Sequence, residues 1–215
     1  MGGWSVTSVG APADVLHARE LPVAGRHVWV LHATSPALVL GSTQPAADAD
    51  PVACAAAGVE IVRRRSGGGA VLVGPDECVW IDVLVPRGDP RWDDDVGRAA
   101  GWLGDVWCRT LADVGVAGCQ VHRGGLERTE WSAVVCFAGV GPGEVLDADG
   151  AKVVGISQRR TRTMARFQCA VPLRWEPERL SALLTARPPA AALGAVRAVE
   201  AAAATVVAAF LAALT

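Results

Sequence analysis

The sequence predicts an α/β fold of the α+β kind, in which short turn-connected strands form a sheet and helices pack against it. Three observations lead there. Residues 78–85, Cys-Val-Trp-Ile-Asp-Val-Leu-Val, are apolar on both faces apart from Asp82, as a central strand covered on both sides would be. Short β-rich runs are separated by turn clusters such as Ala33-Thr34-Ser35-Pro36, Gly74-Pro75-Asp76 and Asp147-Ala148-Asp149-Gly150. Residues 93–114 and 190–214 carry apolar side chains at helical spacing.

In chain order, residues 11–21 read as a short helix with Pro12 early and Pro22 as its stop. Residues 27–32 and 37–40 read as a hairpin. After Gly41-Ser42-Thr43-Gln44, Asp50 caps a helix that has Pro51 at its first position and Gly58 at its end. Residues 59–64 read as a strand, and 70–73 with 78–85 as a second hairpin. The acids at 93–95 suit a helix start, and Trp102, Val106, Arg109 and Leu111 keep step to about residue 114. Residues 119–122 form a short strand, 123–131 an irregular segment, and 133–137, 144–146, 151–158 and 164–173 further strands. Helices at 176–184 and about 190–214 close the chain, the second with Val196, Val199, Val206, Phe210 and Leu214 as a stripe for the sheet.

A length of 215 residues suits one domain, here expected over 1–215, with the helices of 176–215 packed on it and no accessory domain. With 51% hydrophobic and 20% charged residues the chain is globular, not disordered. A net charge of -2 gives no general attraction to nucleic acid or anionic membrane, so any basic function is local. Arg159-Arg160-Thr161-Arg162 reads as a solvated strand end, and the longest apolar run is interrupted by Arg197 and Glu200, which argues against a membrane span. Cysteines 54, 78, 108, 119, 136 and 169 never form CxxC and lie mostly in apolar runs. Without a signal sequence, this pattern suggests a reduced, cytoplasmic protein with neither a zinc knuckle nor a disulfide framework.

Two stretches carry chemistry. In Arg63-Arg64-Arg65-Ser66-Gly67-Gly68-Gly69-Ala70-Val71, three guanidinium groups run into a hydroxyl and three glycines. Glycines let a ligand approach the main chain and free N–H groups to ring an anion, while arginine matches carboxylate or phosphate oxygens. The plainer alternative is a solvated basic turn. The second stretch is Gly150-Ala151-Lys152-Val153-Val154-Gly155-Ile156-Ser157-Gln158-Arg159, which holds the single lysine of a chain with nineteen arginines. Strand alternation places Lys152 with Val154 and Ile156 on one face, and Gly155 with Ser157 on the other. An ammonium on an apolar face needs an anion from protein or ligand, unless its head reaches water at the strand end.

Together these two motifs, with Gly41-Ser42-Thr43-Gln44 more loosely, resemble the catalytic domain of the lipoate-protein ligase A family, with its related octanoyltransferases and biotin ligases. The resemblance covers about residues 20–175. It implies a mixed, largely antiparallel β-sheet with flanking helices, of the biotin/lipoate ligase-like, class II synthetase-like kind, and a medium-chain acyl group held beside the glycine loop. Arg64, Ser66, Gly67, Gly68, Gly69, Ala70, Gly155 and Ser157 would bind substrate, and Lys152 would contact the acyl carbonyl or activated phosphate, with no metal held by the protein's own residues. The activity implied is attachment of a lipoyl or octanoyl group in amide linkage to a lysine of a lipoyl carrier domain, as in 2-oxoacid dehydrogenase or glycine cleavage complexes. In a ligase, ATP and magnesium would activate the free acid as an acyl-adenylate.

The chain departs from the ligase pattern at three places. Leu72-Val73-Gly74 stand where a histidine follows the glycine loop, residues 139–144 replace an Asn-Asp pair, and Met164-Ala165-Arg166-Phe167 replace a His-Gly. A second version fits some of these gaps: Cys136-Phe137 resembles the Cys-Phe pair of one branch of cysteine-dependent octanoyltransferases, in which a thiolate takes octanoyl from an acyl carrier protein without ATP or other cofactor. A third is a non-catalytic relative that binds an acyl group or carrier. Biotin or another carboxylate as substrate also stays open.

Overall fold

The computed structural model describes residues 3–215, and its layers follow from where the apolar side chains point. A seven-stranded sheet runs in the order β1-β2-β6-β10-β9-β8-β7, from β1 (Trp4–Ala11), β2 (Arg26–Ala33), β6 (Cys78–Pro86), β7 (Gln120–Val121), β8 (Val145–Leu146), β9 (Lys152–Arg160) and β10 (Met164–Pro172). Only β1 and β2 pair in parallel; every other neighbour is antiparallel. A second sheet, β4-β3-β5, is built from β3 (Ala37–Leu40), β4 (Glu60–Arg63) and β5 (Val71–Val73). The sheet is therefore mixed and largely antiparallel, flanked by α1 (Ala13–Ala18), α2 (Pro51–Ala56), α3 (Gly101–Asp113), α4 (Pro177–Ala182) and α5 (Ala203–Leu214).

The central strand β6 explains the stacking. Its Val79, Ile81, Val83 and Val85 join a core with Leu103, Trp107 and Leu111 of α3 and Val206, Phe210 and Leu214 of α5. Its Trp80 and Leu84 face the other way, toward Val39, Val62 and Val73 of the small sheet. Leu38 and Leu40, on the far face of that sheet, meet Cys54 of α2 and Leu180 of α4. Asp82 thus points between the two sheets, fully buried, where Arg166 of β10 meets it at 2.5 Å. Arg166 also donates to the carbonyls of Leu16 and His17, tying α1 to the sheet.

Several expectations are corrected. Neither expected hairpin exists: β2 and β6 pair with each other in the large sheet, whereas β3 and β5 lie in the small one. The strand β1 is unanticipated, because Trp4–Ala11 exposes most of its Ser- and Thr-rich length at the sheet edge. Helix α3 starts at Gly101, not at the acids. Asp93 and Asp95 instead accept from the backbone N–H groups of Asp95 and Gly97 and pair with Arg98, side-chain bonds that compete with helix formation. Residues 133–137 are not a strand; Cys136–Ala138 is a 3-10 turn. The last helix starts at Ala203, since Gly194 takes φ +91 and the segment after it pairs with β9, Lys152 N–H donating to Ala195 and Arg197 N–H to Lys152. Asp50 does cap α2, its Oδ1 accepting from Val52 and Ala53 at 3.0 Å each.

Candidate active site

Two of the three arginines of the first motif brace main chain in and beside the glycine loop instead of waiting for a ligand, while Arg65 is exposed. Arg64 is buried and donates to the carbonyls of Val39, Gly67 and Gly69, and Arg63 donates to those of Gly41 and Gln44. The loop packs so tightly that a side chain at Gly41 would meet the Gly68 carbonyl at 1.8 Å, and one at Gly69 the Val135 backbone at 2.6 Å. Gly68, at φ +99, turns the chain where other residues would be strained. With the Gly67 and Gly69 carbonyls taken by Arg64, the loop leaves the N–H groups of Gly67, Gly68 and Gly69 donating to no group among the described residues. Ala70 bridges Val135 in parallel, its N–H donating to the Val134 carbonyl and its carbonyl accepting from the Cys136 N–H, and so carries the loop onto the turn of Cys136.

Lys152, 2% exposed, meets its anion within the protein. Its Nζ lies 2.6 Å from Glu144 Oε2, 3.0 Å from the Cys136 carbonyl and 2.9 Å from the Gly139 carbonyl, which uses all three ammonium hydrogens, and it stands over the Phe137 ring. Glu144 is held in turn by the N–H groups of Gly141 and Ile156. The simple alternation expected of β9 fails near Lys152, because a register shift against β8 sends Val153 and Val154 together into the α3–α5 core. Glu144 was not foreseen; its one signal is its place just ahead of the lysine strand, across the Asp147–Gly150 turn.

Lys152, Cys136, Ser157 and Gly67–Gly69 share the wall of one open cavity of about 500 Å³, with Arg128, Gln44, Glu144 and Ile156. Behind it runs a narrow, mostly apolar slot between the two sheets, lined by Val71, Val73, Trp80, Phe137, Gly155 and Ala170 among others. Cys136 and Ser157 belong to both spaces and mark where they meet. The Cys136 sulfur lies beside the loop, 3.8 Å from where a Gly68 Cβ would stand. Ser66 sits below, bonded to Ser157 at 3.0 Å and Gln168 at 2.7 Å. Of the expected site residues, Ser66 and Ala70 thus support the walls, while Arg64 and the others border the cavity or slot.

The matched family now decides what the chain is. Residues 14–213 match the lipoyl protein ligase A/B catalytic domain. The chain belongs to that family. Its fold is similar to that of a lipoate-protein ligase A bound with ATP, with a TM-score of 0.75 at 15% identity over 99% of this chain and 83% of the other. It is also similar to a lipoate protein ligase from Thermoplasma acidophilum with bound lipoic acid, with a TM-score of 0.73 at 15% identity over 98% and 83%. A structure of the bipartite ligase and its E2 lipoyl domain from that organism gives 0.72 at 13% over 98% and 81%. At such identities the likeness speaks for the fold. No curated protein is similar enough in sequence to be matched.

For this family the nucleotide and magnesium have to be tested against the side chains present. The free glycine N–H groups and Arg128 suit an anion. Magnesium is usually anchored by one or two carboxylates beside substrate phosphates, and Glu144, the one carboxylate lining the cavity, is already engaged by Lys152 and two backbone N–H groups. Among the described residues no group of three His, Cys, Asp or Glu side chains is placed to hold a metal. The residues do not fit magnesium, and no step below runs through it. No helix among the described residues is long and apolar enough to cross a membrane.

Proposed function

We propose that the protein attaches a lipoyl or octanoyl group in amide linkage to a lysine of a lipoyl carrier domain, by way of a thioester on Cys136. The observation that supports this route is the position of Cys136, at the junction of the open cavity of about 500 Å³ and the apolar slot, which at about 40 Å³ has to widen as an acyl tail enters. In the first step the Cys136 sulfur attacks the carbonyl of an acyl-carrier thioester; a new C–S bond forms, and the carrier's sulfur leaves with the proton that Cys136 gave up. In the second, the ε-amine of the target lysine attacks that carbonyl, the amide forms, and Cys136 regains a proton from the amine. The N–H groups of Gly67–Gly69 face the charge that builds on the carbonyl oxygen, a role in which losing one donor typically costs on the order of 10²–10³ in rate.

Lys152 acts here as a positioning residue. Its bonds to the carbonyls of Cys136 and Gly139 set the turn that presents the sulfur, and arginine, with its flat fork, cannot repeat that geometry. A second reading, an ATP-dependent ligase acting through an acyl-adenylate, draws support from Arg128 and the unpaired loop N–H groups, and from the related ligase that binds ATP.

One experiment separates them. An unmodified lipoyl domain is incubated with the protein and either octanoyl-carrier protein alone or lipoate, ATP and magnesium, and is then weighed. Product with octanoyl-carrier protein alone, lost in Cys136→Ala, is the expected result. Product only with ATP, undiminished by that substitution, establishes the ligase instead, and no product in either mixture points to a binding protein.

A further inference from the structure

We infer that His17 makes the slot selective for acyl chains that carry a hydrogen-bond acceptor near the end remote from the reacting carbonyl. This rests on the reading above, in which the chain enters the slot with its carbonyl at Cys136 and widens it beyond its present volume of about 40 Å³. His17 lines the slot but not the open cavity, so it lies away from the junction. It is 7% exposed, and its Nε2 has no hydrogen-bond partner among the described residues. A buried polar atom left unpaired in an otherwise satisfied site needs a reason.

The hydrogen bonds around it decide what that nitrogen offers. Ser66 Oγ donates to Gln168 Oε1 at 2.7 Å, and Gln168 Nε2 lies 3.2 Å from His17 Nδ1. With Oε1 taken by the Ser66 hydroxyl, the NH2 end of the amide is the one facing His17. Nδ1 is therefore an acceptor. Burial, then Arg166 and Arg64, hold the pKa of His17 down at about 3, so the ring is neutral and its one hydrogen sits on Nε2. The ring packs against Trp80, tilted by 37° with centroids 4.5 Å apart, and its main chain is held by Arg166, so the donor is fixed in place. The apolar walls Val71, Val73, Phe137, Gly155 and Ala170 offer it no acceptor, and no hydrogen bond joins it to Ser157, Cys136 or Cys169, which also line the slot. A carbonyl oxygen on the ligand would complete the site; ring sulfurs, weaker acceptors, would do so in part.

The test measures binding of octanoate and 7-oxooctanoate to the wild-type protein and to His17→Phe, which keeps a ring against Trp80 and removes the donor. A purely apolar slot penalises the oxo group, because burying an unpaired carbonyl is costly. The expected result is that wild type binds the oxo acid at least as tightly as octanoate, and that the substitution weakens the oxo acid about tenfold relative to octanoate. The same ratio in both proteins overturns the proposal, and would mean that water alone meets His17. Should the variant not fold, ¹⁵N NMR of the wild-type histidine decides: the Nε2–H proton moves downfield with the oxo acid and not with octanoate, and identical spectra overturn the idea. If the lipoyl domain is acylated while the ratios are equal, only this inference fails. If neither acid binds and no carrier is acylated, the proposed function fails with it.

Discussion

Among the described residues two ion pairs of similar make are buried on both sides, and they stand in different settings. Arg166 and Asp82 meet at 2.5 Å between the sheets, surrounded by Trp80, Gln168 and the end of α1. Lys152 and Glu144 meet at 2.6 Å in the wall of the open cavity. Both pairs are dehydrated and both are tied to backbone groups, so the ion pair itself does not mark function. What differs is the structure each cation fixes. Arg166 secures a helix to a sheet, whereas Lys152 secures the short turn that carries Cys136.

The largest effect that would sharpen this contrast is on stability. Asp82→Ala strands a buried guanidinium and should cost about 3–5 kcal/mol, read from urea unfolding, whereas joint replacement by Asp82→Leu and Arg166→Met should recover most of it. Next, Glu144→Gln with Lys152→Met removes the charge of the second pair and should leave a cooperative unfolding transition, yet lower acylation of the carrier by roughly 10²-fold through loss of positioning. If that double variant keeps full activity, the two pairs are equivalent and the contrast is broken.

A third prediction concerns His17, which depends on Arg166 for its placement. Its pKa is lowered from 6.5 to about 3 in the folded protein, so the unfolded chain binds more protons between those values. Stability is therefore unaffected by His17 above pH 6.5 and falls as pH drops below it; the loss should reach about 2 kcal/mol at pH 5. Denaturant titrations of wild type and His17→Phe over that range should show this slope in the first and not in the second. The smallest effect is expected at Arg98, whose pairs with Asp93 and Asp95 are largely exposed: Arg98→Ala should leave the melting midpoint unchanged.

Much of the site could be read from the sequence because its parts are local. The glycine loop, the lone lysine and the Asp50 cap each depend on neighbouring residues, and their residue types name their chemistry. Partners brought together by topology were not legible. Glu144 reaches Lys152 across a turn, and His17 meets Gln168 from the other end of the chain. The fold class was readable from strand and turn signals, but pairing was not: residues 27–40 and 70–85 look like hairpins by spacing, although β3 and β5 lie in a different sheet from β2 and β6. The alanine-rich stretch before Ala203 was misread because helix propensity is a weak preference, and pairing with Lys152 overrides it.

The pairing of Leu31 with Trp80 has one more consequence. It means that the chain leaves the large sheet after β2 and rejoins it at the adjoining strand, having built the small sheet and the arginine–glycine loop on the way. Residues 34–77 are thus a detour whose two ends stand side by side. Such a segment is a natural cassette: swapping it for the matching stretch of a relative would alter acyl preference while the order of the seven strands stays as it is.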